Sequence, residues 1–338
     1  MRIMNMRSAI NEALAGEMAR DERVFIMGED VGKYGGGFGA TQGLEERFGS
    51  DRVMDMPISE GAFTNMAVGA AMAGERPVVE FMFSDFVSEA MDGIVNQAAK
   101  MRFMTGGQAS VPLVLRGACG CGTGAAAQHS QSLEAWFAHI PGLKVVMPST
   151  PRDAAGLLRS AIRDDGPVVF LEHKLCYKLE GEVEDGDFTI PLGRADVKRR
   201  GSDLTIITYS YAAYKAMTAA RKLASDGIDA EVIDLMTISP IDRETIERSV
   251  MKTGRAIIVH DAVESFGVGA EVSSILNEGR AFYALKKPVV RLGGAYMPVP
   301  FAKEIEREVT PDVDDICREA RRLVDDRAKR FIGRREAK

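Results

Sequence analysis

The chain contains 338 residues, of which 46% are hydrophobic and 27% are charged. This length exceeds the usual size of one hydrophobic core, so length and composition together predict two globular α/β domains. The net charge of -6 argues against a nucleic-acid-binding protein, and no apolar run is long enough to predict a membrane span.

Other features of the sequence exclude further classes of protein. Glu12 and Glu17 interrupt the apolar stretch that a secretory signal needs, so we expect a cytoplasmic location. The four cysteines show no CxxC spacing and fit neither a disulfide framework nor a zinc site. The basic runs at 198–201 and 329–338 are expected to be a solvated linker and a tail without function.

Through the first half of the chain, short β-rich runs alternate with helical patterns, which predicts a mainly parallel sheet. The predicted strands are 24–27, 52–56, 77–82, 112–116, 144–147 and 167–171. Residues 84–102 repeat apolar side chains at helical spacing, which predicts one helix with a face in the core. Residues 62–74 carry no charged side chain, so the helix predicted there is expected to be buried.

The alternation stops in an acidic, turn-rich stretch, and a second open sheet begins after it. The strands predicted for this sheet are 204–208, 230–235, 256–260 and 288–292, with helices beginning near residues 211, 242, 269 and 312. We therefore predict a first domain at 1–185, a linker at 186–202 and a second domain at 203–338. Each domain is predicted to hold an open, mainly parallel sheet flanked by helices.

A glycine-rich segment at 35–40 contains the GxGxxA pattern of dinucleotide-binding folds, and Asp55 follows at a suitable distance. That fingerprint requires a glycine at the strand end and a full helix behind the last glycine. Here residues 29–35 intervene, and the helical stretch at about 44–48 is too short for a crossover helix. The sequence instead favours a flexible loop on the substrate side of an active site.

Glu60 precedes the uncharged helix and has two interpretations. A carboxylate at a helix N-terminus is often a cap, because it interacts favourably with the free amides there. Ser59 would be the more usual cap, so Glu60 is equally well interpreted as a carboxyl group placed for a ligand or for proton transfer. The spacing alone does not decide between them.

His129 ends a loop of small residues, 119–128, which favours an active-site histidine that exchanges protons with a bound intermediate. The alternative is a hydrogen-bonded structural histidine. Cys119 or Cys121 could also pair with His129 as in a thiol hydrolase, but no hydrolase signature accompanies them. The remaining histidines lie beside apolar runs without metal-ligand spacing and are expected to be structural: His139, His173 and His260.

Several segments together resemble one protein family. They are GEDVG at 28–32, PISEGAFTNMAVGAAMAG at 57–74, GAAAQHSQSLEAWFAHIPGLKVVMPSTP at 124–151, SAIRDDGPVVFLEHK at 160–174, EVIDLMTISPID at 231–242 and FGVGAEV at 266–272. Over nearly its whole length the chain resembles β subunits of the thiamine-diphosphate-dependent E1 components of 2-oxo-acid and acetoin dehydrogenases. The resemblance implies a transketolase-like pyrimidine-binding domain followed by a transketolase C-terminal-like domain.

The resemblance also implies roles for individual residues. The glutamate that matches Glu60 hydrogen-bonds the aminopyrimidine ring of thiamine diphosphate and so promotes deprotonation of the thiazolium C2 carbon. Phe86 matches the aromatic residue beside that ring, and Glu29 is a further expected cofactor contact. His129 matches the histidine that assists the covalent intermediate and the transfer of its acyl group to a lipoyl arm. Glu60 and His129 are thus the implied catalytic residues.

A structural potassium site belongs to the same family and is built mostly from carbonyl oxygens, which suit a hard monovalent cation. Its positions fall on Leu113, Ala161, Ile162, Asp164 and Gly166. Gly166 replaces an asparagine found in some relatives, but a carbonyl ligand survives that change.

Thiamine enzymes of this superfamily bind the diphosphate through Mg²⁺ with a GDG motif and a later asparagine. Gly186 and Asp187 are followed by Phe188 here, so the resemblance implies that the Mg²⁺ ligands come mainly from an α subunit in an α2β2 enzyme. The expected reaction decarboxylates pyruvate or a branched-chain 2-oxo acid, or cleaves acetoin, and passes the acyl group to a dihydrolipoyl acyltransferase. The stretch at 122–136 looks slightly closer to acetoin-type members. A self-contained transketolase-like enzyme and a non-catalytic scaffold subunit are the alternatives.

Overall fold

The computed structural model describes residues 1–325, so the predicted basic tail at 329–338 lies outside the described residues. The strands are β1 (Arg2–Asn5), β2 (Val24–Gly28), β3 (Val53–Asp55), β4 (Arg76–Phe81), β5 (Val114–Cys119), β6 (Lys144–Val146), β7 (Val168–His173), β8 (Glu180–Val183), β9 (Asp196–Arg199), β10 (Leu204–Thr208), β11 (Ala230–Asp234), β12 (Thr237–Ser239), β13 (Ala256–Val263) and β14 (Val290–Gly294). The α-helices are α1 (Met6–Arg20), α2 (Leu44–Phe48), α3 (Glu60–Met72), α4 (Met101–Met104), α5 (Glu134–Ala138), α6 (Pro151–Arg163), α7 (Tyr211–Ser225), α8 (Arg243–Thr253), α9 (Val268–Glu278), α10 (Lys303–Glu306) and α11 (Val313–Val324). Within the described part of the chain, no helix is both long and apolar enough to cross a membrane.

The first compact unit comprises residues 1–194, 236–241 and 298–307. Its seven-stranded sheet has the order β12-β6-β7-β5-β4-β2-β3. Neighbours pair in parallel except at the β12 edge, where Thr237 pairs with Val146 in an antiparallel register. Every residue of β5 and β7 is buried, as expected for strands of a parallel sheet that is covered on both faces. The predicted sheet of the first domain is therefore confirmed.

Local sequence signals explain where the helices of this unit begin. At the start of α6, the Thr150 side chain accepts a hydrogen bond from the Asp153 backbone N–H, and Pro151 occupies the first helical position. A threonine cap followed by proline satisfies one free amide and supplies a residue without one, so the helix begins there. The helix then packs its buried face against α1.

The helix predicted over 84–102 is wrong as one continuous element. The segment instead contains a 3₁₀-helix at Ser84–Ala90, a π-helical segment at Gly93–Ala98 and the short α4. Val87, Ile94 and Ala98 are nevertheless buried in the core, as predicted from their spacing. Apolar periodicity reports which side chains face the core, whereas the hydrogen-bond pattern of each turn is set by local packing that the periodicity does not encode.

Within the described chain, the second compact unit comprises residues 195–235, 242–297 and 308–325. Its five-stranded sheet has the order β14-β13-β10-β11-β9, parallel except for β9 at the edge. A core of aliphatic side chains and alanines joins strands β10, β11 and β13 to helices α7 and α11. This confirms the second open sheet, although β9 lies inside the segment predicted as a linker. The predicted domain boundaries themselves stay a prediction.

Candidate active site

The candidate site lies at the carboxyl ends of four neighbouring parallel strands, β5, β4, β2 and β3. The chain leaves β2 for β3 on one side and then returns to β4 on the other side of β2. Ligands in open parallel sheets bind in the crevice outside the strand ends at such a reversal. Glu29 follows β2 directly, and Met82 follows β4. The topology therefore brings these two segments to the expected position of a ligand.

An open cavity of about 680 Å³ occupies this position. This volume is within the usual range for a small-molecule or cofactor site. Its lining combines carboxylates with aromatic and small apolar side chains: Glu29, Ile58, Ser59, Glu60, Gly61, Ala62, Met82, Phe83, Phe86, Glu89 and His129. The structure thus brings together the four residues that the sequence singled out for catalysis or cofactor binding, namely Glu29, Glu60, Phe86 and His129.

Glu60 is the first residue of α3, and its side chain is only 7% exposed. The hydroxyl of Ser59, the residue before the helix, donates to the Pro57 carbonyl oxygen at 2.9 Å and does not cap the helix. Among the described residues, no hydrogen bond joins the Glu60 carboxylate to another group. The structure therefore gives the helix-cap interpretation no support and leaves this carboxylate directed to the cavity it lines.

Glu29 is a second buried carboxylate of the cavity, and its Oε1 atom has no hydrogen-bond partner within the described chain. Burial raises the pKa of Glu29 above its ordinary value, and the nearby charges of Glu60 and Asp30 raise it further. A buried oxygen without a partner is uncommon in folded proteins and is typical of a site that a ligand completes. Glu29 is therefore easier to protonate than an ordinary glutamate, and its Oε1 atom is placed for a ligand.

The His129 ring is enclosed by two phenylalanine rings. Its centroid lies 4.7 Å from that of Phe83 and 5.3 Å from that of Phe86, both in edge-to-face geometry. The ring nitrogens of His129 make no hydrogen bond within the described residues, which does not match a structural histidine. The rings hold the imidazole in one orientation by packing, so its nitrogens remain available to a ligand.

The glycine-rich loop at 35–39 reaches the same aromatic group. Phe38 contacts Phe83 edge-to-face with a centroid distance of 5.4 Å, and it stacks on the Tyr177 ring with a centroid distance of 5.4 Å. Gly36 has φ near 83°, and a Cβ atom there would collide with the Glu80 carboxylate, so both conformation and space require glycine. The helix that follows, α2, has five residues and no crossover role, in agreement with the rejection of the dinucleotide fingerprint.

Beneath the loop lies a buried ionic network that the sequence analysis missed. Arg116 is bound bidentately by Glu172, at 2.9 and 2.6 Å, and also forms an ion pair with Glu80. Tyr177 donates its hydroxyl to Glu172 at 2.7 Å. Burial raises the pKa of Glu80, although the Arg116 charge opposes this shift. The sequence did carry a signal for this network, namely a charged residue within each of three largely apolar strands, β4, β5 and β7.

Cysteine chemistry receives no support from the site. All four cysteines are buried and none forms a disulfide. Burial raises the pKa of the Cys119 thiol well above its ordinary range, which suppresses the thiolate that a nucleophile requires.

In the second unit, the buried His260 bonds the Ala262 carbonyl oxygen at 3.0 Å and accepts from the Gly269 N–H at 3.2 Å, as expected of a structural histidine.

The predicted potassium positions gather at the carboxyl end of α6, where helix carbonyl groups favour a cation. Arg76 Nη1 already donates to the carbonyl oxygens of Ile162 at 2.9 Å and Asp164 at 3.1 Å. The Leu113 carbonyl accepts from the Val168 N–H, and that of Ala161 accepts from the Asp164 N–H. Each carbonyl retains a second lone pair, so the donor set suits potassium, but any ion there would lie beside the Arg76 guanidinium.

Comparison with known proteins gives two family matches that together span most of the chain. Residues 2–179 match the transketolase pyrimidine-binding domain, and residues 193–316 match the transketolase C-terminal domain. The fold is similar to that of a solved structure described as a split gene transketolase, inactive β4 tetramer, with a TM-score of 0.78, 21% identity, and coverage of 95% of this chain and 98% of that one. At that identity the likeness supports the fold alone.

Similar proteins include mitochondrial subunits of a pyruvate dehydrogenase. The E1 component subunit beta-2 of Oryza sativa subsp. japonica is 48% identical over 94% of this chain and 86% of its own length. The E1 component subunit beta of Bos taurus is 47% identical over 93% and 88%, and that of Homo sapiens is 45% identical over the same shares.

The names of these relatives also correct one prediction. All of them are described as mitochondrial, so the expectation of a cytoplasmic location is wrong. It rested on acidic residues within the first twenty positions, and such residues bear only on a secretory signal.

Proposed function

Because this chain belongs to the family of E1 β subunits with transketolase-type pyrimidine-binding and C-terminal domains, we propose that it is the β subunit of a thiamine-diphosphate-dependent 2-oxo-acid dehydrogenase. It acts within an α2β2 enzyme that decarboxylates its substrate and transfers the acyl group to the lipoyl group of a dihydrolipoyl acyltransferase. The observation that carries the proposal is the convergence of Glu60, Phe86 and His129 on one cavity.

The cavity fits one end of thiamine diphosphate. An aminopyrimidine ring presents nitrogen donors and acceptors on its edge and a flat apolar face. The cavity offers two buried carboxyl groups, Glu29 and Glu60, for the edge and two phenylalanine rings for the face. The lining contains no Lys or Arg to meet a diphosphate. The residues present therefore fit the aminopyrimidine end, whereas the diphosphate and its Mg²⁺ need ligands from elsewhere, in our proposal from the α subunit.

When bound, the cofactor supplies the electron sink that decarboxylation of a 2-oxo acid requires. Glu60 accepts or donates a hydrogen bond at an aminopyrimidine nitrogen and orients that ring. Glu29 offers a second hydrogen-bonding group to the edge of the same ring through Oε1, which has no partner within the described chain. Phe86 packs beside the ring and excludes water from it.

His129 lines the cavity from the loop that follows β5, and it acts on the substrate. Its free ring nitrogens exchange protons with the reacting oxygen or with the lipoyl thiol during acyl transfer. Phe83 and Phe86 keep the ring in place while it does so. Removal of the imidazole should therefore lower the rate of acyl transfer more than the affinity for the cofactor.

Exposed apolar side chains on and beside α3 support the proposal that a partner subunit covers this helix. This helix carries no charge after Glu60, and its inner residues, such as Phe63 and Ala67, are buried. Met66 is 53% exposed, and Ile58, at the rim of the cavity, is 85% exposed. Large exposed apolar side chains beside a candidate cofactor site are typical of a protein interface. We propose that the α subunit covers this face and completes the site.

Pyruvate is the proposed substrate, because the relatives described above are named as pyruvate dehydrogenase subunits. Branched-chain 2-oxo acids and acetoin are the alternatives that a substrate screen must include. The slight likeness of residues 122–136 to acetoin-type members is not supported by those relatives.

Turnover of the purified α2β2 enzyme tests the proposal. Glu60→Gln keeps the size of the side chain but removes the ionisable carboxyl group, and it should lower kcat by about 100-fold or more. Glu75→Gln, at an exposed position just after α3, is the matched control and should leave kcat unchanged. Retention of full activity by Glu60→Gln, with an assembled and folded enzyme, would contradict the assigned role.

A further inference from the structure

The loop that carries His129 is bound at its start by a distant carboxylate. Glu306, the last residue of α10, accepts hydrogen bonds from the backbone N–H groups of Gly122 at 2.6 Å and Gly124 at 2.9 Å. Its two oxygens take one bond each, and the side chain is only 2% exposed. Hydrogen bonds to an ionised acceptor are roughly twice as strong as neutral ones. Glu306 therefore restrains the loop across a separation of more than 180 residues.

The end of the same loop is bound by a buried cation. Lys174 donates from Nζ to the backbone carbonyl oxygen of His129, and the ammonium also lies 5.4 Å from the centroid of the Phe83 ring. Lys174 is 5% exposed, and burial lowers its pKa, with the Asp85 charge opposing the shift. Asp85 in turn accepts from the Gln131 N–H at 3.0 Å. One cation thus contacts both His129 and the ring that orients it.

These restraints matter because the loop has little stabilising structure of its own. Gly120, Gly122 and Gly124 all have positive φ, and Ala126 adopts φ near 61°, which is unfavourable for a residue with a Cβ atom. A segment rich in glycine loses much conformational entropy when it is ordered. Charge-assisted hydrogen bonds from Gly122 and Gly124 to Glu306, and from Lys174 to the His129 carbonyl, oppose this loss.

We infer that Glu306 and Lys174 are positioning residues that hold His129 at the reacting centre through the backbone of the 120–129 loop. This rests on the function proposed for His129. Neither side chain lines the cavity, so each acts through the loop and touches neither cofactor nor substrate. A displacement of about 1 Å at a catalytic group can lower a rate by about 100-fold.

A double-mutant cycle in the assembled α2β2 enzyme tests the inference. Glu306→Gln and Lys174→Met are each made alone and together with His129→Ala. The matched controls are Glu304→Gln, an exposed carboxylate on α10, and Lys178→Met, an exposed lysine in the same 3₁₀ turn as Lys174. For every enzyme, kcat of acyl transfer to a lipoyl domain, KM for pyruvate and Kd for thiamine diphosphate are measured.

The inference predicts that each single variant lowers kcat by about 10- to 100-fold while KM and Kd change far less. In the His129→Ala background, the same changes should lower kcat by less than about twofold, because the residue they position is gone. Losses that multiply in the double variants, or a normal kcat in the single variants, would overturn the inference alone. Full activity of His129→Ala would overturn the proposed function and the inference together. Should Glu306→Gln not assemble, the Lys174→Met cycle decides by itself.

Discussion

Removal of the buried cation Arg116 should destabilise the first unit severely. In Arg116→Met, the carboxylates of Glu80 and Glu172 stay buried, at 5% and 0% exposure, without the guanidinium that pairs with both. Breaking such a pair by removing one partner costs about 3–5 kcal/mol, since an uncompensated charge remains. In a unit of about 200 residues this corresponds to a fall of roughly 6–20 °C in the thermal midpoint.

The assay is thermal unfolding followed by circular dichroism at one fixed scan rate, with three comparisons. Arg23→Met removes a similar bidentate pair with Asp21 that lies on the surface, and it should shift the midpoint only slightly. Adding Glu80→Gln and Glu172→Gln to Arg116→Met should restore most of the loss, because no buried charge is then left. The deficit of the single variant should also shrink as the pH falls and the Glu80 carboxylate, whose pKa burial raises, takes up a proton. A midpoint within about 2 °C of the wild type would refute the reasoning.

Three further outcomes are expected. Burial and the charge of Glu60 raise the pKa of Glu29 above its ordinary 4.5. Between the pKa of the unfolded chain and that of the folded chain, only the unfolded chain is ionised, so the free energy of unfolding of the wild type falls as the pH rises through this interval. Glu29→Gln should therefore have a higher thermal midpoint than the wild type above the interval and an equal one below it, and a difference that does not change with pH would contradict the assignment. A thiol reagent should modify none of the four buried cysteines rapidly in the native enzyme, whereas rapid inactivation by modification of Cys119 would revive the thiol hypothesis. Potassium, compared with sodium at the same concentration, should raise the thermal midpoint by binding the carbonyls at the end of α6, and equal midpoints would contradict a potassium site there.

The sequence predicted much of the fold because its signals are local. Most strands of the two sheets are short, largely apolar runs, and the helix starts at residues such as Thr150 and Asp242 are marked by capping side chains. The prediction of one helix over 84–102 was wrong for a related reason, because apolar spacing identifies the buried side chains but does not determine whether each turn is 3₁₀, α or π. Segments 236–241 and 298–307 join the first unit although they follow it distantly in the chain, and no local pattern encodes such a return.

The candidate site was predictable in part for the same reason. Glu60 and His129 stand at the ends of apolar or small-residue stretches, where a charged or titratable group is conspicuous. Lys174 and Glu306 give no comparable signal, because their importance comes from hydrogen bonds to residues far away in the sequence. Burial also distinguishes Glu29 from its exposed neighbour Asp30, which the sequence alone does not do.

In our proposal, this chain supplies only part of a thiamine diphosphate site, and a second, α-type subunit completes it. A native mass spectrum of the enzyme purified from its source tests this shared site. The proposal predicts an α2β2 mass that retains thiamine diphosphate and Mg²⁺, and loss of the cofactor when the subunits separate. A chain that runs without a second subunit and still holds the cofactor tightly with Mg²⁺ would contradict the claim.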